Sequence, residues 1–514
     1  MISKNMSKET HKGVSPVGQK KEKANQVQKS DKTEEKKITF NISKENNFSD
    51  WYSDILDKAE VTDIRYGVKG FVVIRPWGAL AIENMYKFYE QALQKTGHMP
   101  TMFPVVIPEE NFKKESSHVE GFTPEVFWLD KVGEDQRLAL RPTSETAFYQ
   151  MYNLWIRSWR DLPLKLYQRA NVFRYETKAT RPLIRAREFY WLEAHDAFSS
   201  KKEAEEQVQE DIIMTEKIMH QIFGVPFLPM KRPQWDKFPG AEYTIGSDSI
   251  LPDGKIIQQP STHLLGQHFS KAFDIKFSDE SEKEDFVWQT CYGPAISRIL
   301  ASVIAMHGDD SGLIFPFAIS PAQVVIVPIF NEKNQKKVLD FATKLENELS
   351  EEFKVKLDDS NKRPGEKFFF WEMKGVPFRI ELGEKEIDAK ELTLFIRDKR
   401  EKIKLKTSNI ISEIKKLGGD FDKRLLKKAD DLFDTSIQSC KSKEDIKKAL
   451  DNKKIARFSF CSVDEEGAPC AAFIEKGLQA RVMGTRADKK ERTEGKCIIC
   501  GKPAKEVVYA GKSY

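Results

Sequence analysis

The sequence predicts a multidomain protein of mixed class: an α+β domain built on antiparallel strands, an α/β domain, and a small Cys-rich α+β domain. Three observations lead to this prediction. Amphipathic helices and strand-like segments share residues 47–318. The run PAQVVIVPIF at 321–330 is fully apolar, as in a buried strand, and helices and strands alternate after it. Four of the six cysteines lie at or beyond position 461, in a chain long enough for about three or four domains.

We predict four segments: a disordered Lys-rich extension at 1–46, the antiparallel domain at 47–318, the α/β domain at 319–412 and the Cys-rich domain at 413–514. The first 40 residues carry ten lysines and five acids, which accounts for the whole net charge of +5. They contain few large apolar side chains, so we expect disorder. A solvated extension and a weak RNA-attracting arm both fit this composition.

The sequence contains no run long and apolar enough to suggest a transmembrane helix, and it has no recognisable secretory signal. The extension lacks arginine, which argues against a mitochondrial transit peptide. We therefore expect a cytoplasmic protein that does not contact membranes and keeps its cysteines reduced.

The antiparallel domain is predicted to contain a helix over 76–96, with Pro76 suited to its start and Gly97 to its end. A strand at 101–108 follows. Pro104 lies inside that strand, which indicates a sheet edge or a subunit boundary.

Residues 138–156 are predicted to be a strand running into a helix, with Thr143 or Ser144 as its N-cap. Alternation and helical periodicity predict the remaining elements of this domain. They are a hairpin around 171–191, a helix at 201–223, strands at 241–250 and 255–259, and a helix at 291–308 with Pro294 near its first turn and Gly308 at its end.

The segment NVFRYETKATRPLIRAREFYW at 171–191 sets arginines among aromatic side chains, which predicts two antiparallel strands with a functional face. Alternation places Val172, Arg174 and Glu176 on one face of the first strand. One face of the second strand would carry Arg187, Phe189, Trp191, Glu193 and His195. Arginine suits phosphate or carboxylate oxygens, and the aromatic rings suit a stacked base or a small apolar ring. Salt bridges within the sheet fit the same residues equally well.

The α/β domain is predicted to continue through alternating elements until a charged helical segment leads into the Cys-rich domain. These elements are a helix at 332–350, a strand near 353–357, a short helix near 366–373, the strands VPFRIEL and ELTLFIRD, and the charged helix at about 405–435.

The cysteines of the last domain predict a metal site rather than a disulfide framework. Cys497 and Cys500 form a CxxC pair, which is a strong signal for zinc, whereas Cys461 and Cys470 are spaced more widely than usual. A structural zinc site is the favoured interpretation, and an empty or partly used site is the alternative. The other cysteines are interpreted as ordinary thiols: Cys291 and Cys440.

Three further motifs occur in order: RPTSET (141–146), IIQQPSTHLLGQHFSK (256–271) and CYGPAISR (291–298). Together with the 76–96 helix and the 171–191 hairpin, they resemble the signature motifs of class II aminoacyl-tRNA synthetases. The stretches REFYWLEAHDAF, KGVPFRIELG and the final GKSY further resemble prolyl-tRNA synthetases of the archaeal and eukaryotic type. The resemblance covers about 47–514.

The resemblance implies ATP-dependent attachment of L-proline to tRNA(Pro) through prolyl-adenylate, with Mg²⁺ accompanying ATP. Arg174 would bridge the α-phosphate and the proline carboxylate, and Arg298 would hold the terminal phosphates or stack on the adenine. The adenosine side would be bound by Glu176, Arg185, Ala186, Gln258 and Ser261. The family more often has Thr at two of these positions, Ala186 and Ser261.

The resemblance also implies a proline slot, in which Thr143 and Glu145 accept the secondary ammonium. The slot would be lined by Trp191, Glu193, His195 and His263. A small apolar slot discriminates weakly against a missing methylene, so alanine and cysteine would be poorly excluded. The segment between motifs 2 and 3 is too short for the large editing domain of bacterial-type relatives, so we expect no editing in cis.

The domain at 321–410 would bind the anticodon, with Lys374, Arg379 and Glu381 placed to contact bases; ordinary surface charge is the alternative. The first signature motif implies a homodimer, and Tyr514 would tuck toward the active site. Two rival functions are a synthetase-like RNA-binding or regulatory module without catalysis, and an enzyme that charges another amino acid such as threonine. The arginines and Glu176 argue against the first, and RPTSET with the slot residues argues against the second.

Overall fold

The computed structural model describes residues 42–114, 126–130, 137–493 and 495–514. Most of the predicted disordered extension at 1–46 therefore lies outside the described residues. Residues Phe40–Tyr514 form one unit. Within the described ranges, we find no helix with the length and apolar character needed to cross a membrane.

The predicted antiparallel domain combines helices with short and long strands. Its helices are α1 (Phe48–Lys58), α2 (Pro76–Lys95), α3 (Glu109–Lys113), α4 (Glu145–Trp155), α5 (Lys201–Thr215), α6 (His268–Ala272) and α7 (Ile296–His307). A π-helical turn (Glu216–Ile222) extends α5, and 3-10 turns cover Trp159–Asp161 and Gln234–Asp236. Its strands are β1 (Thr62–Asp63), β2 (Val73–Ile74), β3 (Met99–Pro100), β4 (Val106–Pro108), β5 (Phe127–Trp128), β6 (Leu138–Leu140), β7 (Leu164–Phe173), β8 (Glu188–Phe198), β9 (Leu228–Lys231), β10 (Tyr243–Ile250), β11 (Lys255–Gly266), β12 (Lys276–Ser278), β13 (Glu284–Phe286) and β14 (Trp288–Gly293).

The predicted α/β domain has the mixed sheet that the sequence indicates, in the order β16-β15-β17-β18-β19. Its strands are β15 (Val324–Pro328), β16 (Val355–Leu357), β17 (Phe378–Leu382), β18 (Glu391–Ile396) and β19 (Glu401–Lys406), and its helices are α8 (Gln335–Ser350), α9 (Pro364–Met373) and α10 (Glu384–Ala389). A 3-10 turn (Thr407–Asn409) precedes the long helix α11 (Ile410–Thr435). The boundary predicted at 412/413 falls inside α11 and stays a prediction.

The Cys-rich region adds four strands and two helices. They are β20 (Ile437–Ser439), α12 (Lys443–Asp451), β21 (Ile455–Phe460), a 3-10 turn (Glu465–Gly467), α13 (Ala468–Leu478), β22 (Arg481–Arg486) and β23 (Glu506–Ser513).

One sheet of eleven strands joins the Cys-rich region to the antiparallel domain. Its order is β20-β21-β23-β22-β9-β10-β11-β14-β8-β7-β3. At the seam, β22 pairs antiparallel with β9 through Thr485 with Lys231 and Arg486 with Met230. Gly484 has φ +120°, and a Cβ there would lie 2.0 Å from the Lys231 oxygen, so glycine permits the approach. The sequence does not predict that these two regions share a sheet.

The hairpin predicted around 171–191 forms from β7 and β8, but with different bounds. β7 ends at Phe173 and β8 begins at Glu188, so Arg174 and Glu176 lie in the connection rather than on a strand face. Beyond the strands, the Arg174 N–H donates to the Arg187 oxygen at 3.0 Å, and Arg181 forms an isolated bridge with Arg185 farther into the connection. The connection contains turn-forming residues, and they end the ladder earlier than the predicted alternation implies.

Two other predicted elements also differ. The helix predicted over 291–308 begins only at Ile296, because the residues before it pair as β14 with β8 and β11. Pro294 therefore precedes the N-cap Ala295 instead of opening the first turn. The strand predicted over 101–108 is reduced to β4, because Pro104 cannot donate to a ladder. The helix predicted over 76–96 is confirmed as α2, with Pro76 at its start.

Strand alternation separates the core from the functional face of the large sheet. Leu192, Ala194 and Tyr292 point into the main hydrophobic core, where α2 and α7 cover the sheet. Their neighbours Trp191 and Glu193 therefore point to the opposite face, which carries a cavity.

Candidate active site

A cavity of about 920 Å³ lies over the functional face of the sheet, and the Cys-rich region supplies part of its wall. Most predicted proline- and ATP-binding residues line it: Thr143, Glu145, Arg174, Arg185, Trp191, Glu193, His195, Gln258, Ser261, His263 and Arg298. Two of the predicted adenosine-binding residues do not line the cavity. Glu176 lies just outside in an ion pair with Arg185, with Oε2 3.1 Å from Nη1, and Ala186 is buried against Val172 and Phe189.

The floor of the cavity is organised around the buried carboxylate of Glu193. The Ser144 hydroxyl donates to Glu193 Oε1 at 2.5 Å, and the Ser144 N–H donates to Oε2 at 3.2 Å. Ser144 holds the predicted N-cap position of α4, but its hydroxyl makes no capping hydrogen bond. Glu193 instead places a negative charge at the start of α4, where the helix dipole favours it.

His195 lies beside Glu193 and is fully buried. Its Nε2 is 3.2 Å from Glu193 Oε2. Burial lowers the pKa of His195, but the hydrogen bond to Glu193 and the neighbouring carboxylates outweigh burial and raise it. Burial raises the pKa of Glu193, and the hydrogen bond to His195 reverses this, so the net shift is downward. Both shifts favour a charged imidazolium–carboxylate pair.

A second buried carboxylate, Glu145, lies at the first turn of α4. The Thr143 hydroxyl donates to its Oε2 at 2.5 Å, and the Cys291 thiol contacts its Oε1 at 3.5 Å. Burial, and next the charge of Glu145, raise the pKa of Cys291 well above its ordinary value. Cys291 is therefore a protonated thiol that donates to Glu145. The sequence interpretation of Cys291 as an ordinary thiol missed its position in the cavity.

His263 is buried like His195, but its pKa is shifted in the opposite direction. Burial, and next the charge of Arg232, lower its pKa to about 3. Its two ring nitrogens lie 2.8 Å from the Thr244 hydroxyl and 3.0 Å from the Ser261 hydroxyl. His263 is therefore a neutral wall residue held in one orientation by hydroxyl groups.

Two of the predicted arginines, Arg174 and Arg298, line the cavity beside aromatic rings. Arg174 lies 5.8 Å from the Trp191 ring centre, and its Nε donates to the Pro142 oxygen at 3.2 Å. Arg298 lies 4.9 Å from the Phe189 ring centre. A Cβ at Gly293 would lie 2.7 Å from Trp191 Cζ2, so glycine makes room for the indole ring.

Tyr514 reaches the cavity, as the resemblance implies. Its hydroxyl donates to Asp253 Oδ2 at 2.7 Å, and Arg185 Nη2 donates to its main-chain oxygen. Arg185 thus joins Glu176 to the end of β23.

Several cavity residues were not predicted from the sequence. They include Arg232, Asp236, Phe238, Asp248, Cys291 and Arg481. The place of Cys291 in the cavity could have been predicted, because it directly precedes Tyr292 and Gly293 in one of the sequence motifs. Its strand neighbours are His195 on one side and His263 on the other. Arg481 and its neighbours belong to the Cys-rich region, and no local pattern connects that region to the cavity.

The four predicted metal ligands come together. One sulfur from each of Cys461, Cys470, Cys497 and Cys500 lies within 4.8 Å of the others. The sulfurs of Cys461 and Cys470 are 3.7 Å apart, close to the separation of about 3.8 Å that tetrahedral Zn–S bonds of about 2.3 Å require. A backbone N–H from Lys502 lowers the pKa of Cys500 to about 7. This donor set fits a tetrahedral zinc ion.

The predicted anticodon-contacting residues are not on an open surface. Lys374 is buried between domains, where Nζ donates to the Ala59 oxygen at 2.8 Å and ion-pairs with Glu60. Arg379 and Glu381 are buried and paired with each other at 2.9 Å. Their predicted contact with tRNA bases stays a prediction.

Family models match three stretches of the chain. Residues 127–307 match the tRNA synthetase class II core domain (G, H, P, S and T), and 323–417 match an anticodon binding domain. Residues 443–514 match the C-terminal domain of prolyl-tRNA synthetase.

Relatives and solved structures agree with these matches. The chain is 49% identical to a proline–tRNA ligase of Thermofilum pendens over 480 residues, covering 92% of this chain and 98% of the relative. It resembles Giardia lamblia prolyl-tRNA synthetase in complex with prolyl-adenylate, with TM-score 0.88, 35% identity, and coverage of 93% and 100% of the two chains. It also resembles the Cryptosporidium parvum enzyme complexed with halofuginone and AMPPNP, with TM-score 0.85, 33% identity, and coverage of 93% and 99%. The chain therefore belongs to the prolyl-tRNA synthetase family of class II aminoacyl-tRNA synthetases.

Proposed function

We propose that this chain attaches L-proline to tRNA(Pro) in two steps through prolyl-adenylate, with MgATP as co-substrate. The observation that carries the proposal is the cavity itself. Its lining combines a buried carboxylate and aromatic side chains with arginines, and proline and ATP need these groups side by side. The interpretation as a non-catalytic RNA-binding module would not require this combination.

In the first step, a proline carboxylate oxygen attacks the α-phosphorus of ATP, and the bond to the β-phosphate breaks to release pyrophosphate. No general base is needed, because the proline carboxylate is already ionised. Arg174 would bridge this carboxylate and the α-phosphate, and Arg298 would hold the terminal phosphates or stack on the adenine. Their cation–π contacts with Trp191 and Phe189 limit their motion, which supports electrostatic preorganisation.

The proline slot would be built on Glu145. Its carboxylate would accept the secondary ammonium, and Thr143 would accept through its remaining lone pairs while donating to Glu145. Trp191 and the neutral His263 would form the apolar wall. The charged pair of Glu193 and His195 would support the slot from the floor.

The adenosine side would be formed by residues around the hairpin connection and β11. Arg185 is held by Glu176 and Tyr514, and Gln258 and Ser261 line the cavity. Ala186 would contribute only its backbone, since its side chain packs into a buried cluster.

In the second step, the terminal 3′-hydroxyl of tRNA(Pro) would attack the carbonyl carbon of prolyl-adenylate. The carbon–oxygen bond to the phosphate breaks, AMP leaves, and the hydroxyl proton is released. The match of 323–417 to an anticodon binding domain supports tRNA binding. We further propose a cytoplasmic location, in keeping with a role in translation.

We infer that the chain does not edit mischarged tRNA in cis. The residues between β8 and the Ser261 region form α5, its π-helical extension, β9, β10 and the start of β11. These elements belong to the large sheet and its covering helices, which supports the inference that this stretch carries no inserted hydrolytic domain.

We also propose a structural zinc ion held by Cys461, Cys470, Cys497 and Cys500. Bound zinc would crosslink β21, α13 and the CxxC turn, and would thereby stabilise the Cys-rich region.

We propose a homodimer in which the first signature motif lies at the interface between the two subunits. Exposed apolar side chains occur on α2, β3 and the segment after β3, as they also do at 64–73: Leu80, Met99, Met102 and Val105 belong to the first group. Met102 is 97% exposed. Exposed apolar side chains can mark an interaction surface, and two-fold pairing would bury these four against a second copy of the chain.

The first prediction tests the reaction. The purified chain should catalyse proline-dependent ATP–pyrophosphate exchange, and Arg174→Ala should lower the exchange rate by at least about 100-fold, the usual loss for one transition-state donor. Thermal melting and tRNA(Pro) binding should stay unchanged.

Arg160→Ala is the matched control, because it removes an exposed arginine outside the cavity; it should retain full exchange. Exchange with threonine but not proline, or full exchange by Arg174→Ala, would contradict the proposal.

The second prediction concerns editing. Preformed Ala-tRNA(Pro) should decay at the same rate with the chain as in buffer, measured by release of labelled alanine. A bacterial-type enzyme with an editing domain is the positive control. Faster hydrolysis by the chain alone would show an editing activity that the fold does not explain.

The third prediction concerns zinc. Elemental analysis should find about one zinc ion per chain, and Cys500→Ser should lower both the zinc content and the thermal midpoint. Cys440→Ser is the control, because this thiol lies outside the cluster. Equal zinc content in both variants would remove these cysteines as ligands.

The fourth prediction concerns the dimer. Sedimentation should give twice the mass of one chain, and Met102→Asp should shift the protein toward monomer by placing a charge in the interface. Ile213→Asp, which alters an exposed apolar residue on α5, should leave the mass unchanged. A monomeric unmodified chain would disprove this surface as a dimer contact.

A further inference from the structure

A short loop between β9 and β10, residues 232–242, connects the cavity with the Cys-rich region. We call it the covering loop. On its cavity side, the Phe238 ring lies 4.6 Å from the His263 ring. The Phe238 N–H donates to the Thr244 hydroxyl at 2.8 Å, and that same hydroxyl is 2.8 Å from His263 Nδ1. Any shift of the covering loop therefore moves the wall of the amino-acid slot.

The covering loop is also held by the Cys-rich region, through three different contacts. The Gln234 N–H donates to the Val463 oxygen at 2.9 Å. Trp235 packs against the hydrophobic core to which α12, β21, α13, β22 and β23 contribute. Asp236 accepts hydrogen bonds from Arg481, with Oδ2 2.8 Å from Nε. A backbone contact, an apolar contact and an ion pair thus act on three consecutive residues.

The residues of the Cys-rich region that make these contacts are themselves held in place by strand pairing. Arg481 begins β22, whose later residues pair with β9 just before the covering loop. Arg232, the first loop residue, donates from Nη1 to the Met483 oxygen at 3.0 Å. The Cys-rich region therefore holds the covering loop at its beginning and along the turn Gln234–Asp236.

The loop contributes little regular structure of its own. Its one regular element among the described residues is the 3-10 turn Gln234–Asp236, for which no side-chain cap is found. The turn lies between its anchors on the Cys-rich region and the His263 wall. Its position is therefore set mainly by tertiary contacts rather than by local propensity.

We propose that the Cys-rich region positions the amino-acid slot through the covering loop, with Asp236 and Arg481 as the positioning pair. This inference rests on the proposed function, because it assigns a role in proline binding. Arg481 acts through Asp236 and Phe238 on His263, so its loss loosens the slot wall and weakens proline binding. The arginines assigned to ATP, Arg174, Arg185 and Arg298, make hydrogen bonds outside the covering loop, so ATP binding should stay unchanged.

Arg481→Ala tests the proposal by ATP–pyrophosphate exchange. We expect the KM for proline to rise about fivefold, the factor that one partly exposed ion pair can supply. The KM for ATP and the kcat should change less than twofold. Asp236→Asn should have a similar effect, and the double variant should be no worse than either single one, because both remove the same interaction.

Arg486→Ala provides the matched control. Arg486 lies on the same strand and pairs with Asp488, but neither residue lines the cavity. This variant should leave all three constants unchanged. Arg481→Lys should restore part of the proline affinity, because a cation can still meet Asp236.

Hydrogen–deuterium exchange of peptides covering 233–242 gives a readout that does not need activity. Exchange should be faster in Arg481→Ala than in the unmodified chain, and the Arg486→Ala peptide should match the unmodified one. An unchanged proline KM with unchanged loop exchange would overturn the inference while leaving the proposed function intact. A rise in the KM for ATP would also overturn it, because Arg481 would then contact the nucleotide directly. Lack of proline-dependent exchange in the unmodified chain would instead remove the proposed function.

Discussion

The buried ion pair of Arg232 and Asp248 is the contact on which the cavity wall depends. Both side chains are almost fully buried, with Nη2 2.7 Å from Oδ1. A buried guanidinium is tolerated only with such partners, since an uncompensated charge would cost about 3–5 kcal/mol. Arg232 also donates to the Met483 oxygen on β22, so the pair ties two strands of the antiparallel domain to the Cys-rich region. Gly246 allows this, because a Cβ there would lie 2.3 Å from Arg232 Nη2.

Because buried polar groups need hydrogen-bonding partners, some polar side chains of the cavity hold its shape and others stay able to contact a ligand. Glu193 is engaged by Ser144 and His195, so it is fully committed to holding the floor. Burial, and next the charge of Arg232, lower the pKa of His263, which keeps that ring neutral on the cavity wall. A charged wall would bind a small apolar ring poorly. The pair at the seam therefore contributes both to the shape and to the polarity of the cavity in which we propose the slot.

Local patterns were enough to predict much of this protein. The α2 helix, the β7–β8 hairpin, the mixed sheet of the α/β domain and the convergence of four cysteines follow from periodicity, turn residues and spacing. The faces of β8 also follow, because alternation alone separates Leu192 from Trp191 and Glu193. Local patterns failed where tertiary contacts decide. Lysine is usually a surface residue, yet Lys374 is buried between domains, where it contacts Glu60 and Trp77.

The seam between β9 and β22 shows why such contacts are invisible in the sequence. β9 is the four-residue strand LPMK, and it includes a proline that cannot donate to a ladder. Its partner lies in a region whose own pattern indicates only a Cys-rich fold. The register of such a short ladder depends on Gly484 and on the hydrogen bond from Arg232 to Met483. Neither Gly484 nor Arg232 indicates this role in the sequence by itself. A region that looks separate in sequence therefore becomes part of the catalytic sheet. Changes around the cysteines can consequently reach the cavity, where we propose the amino-acid slot, through backbone pairing as well as through side chains.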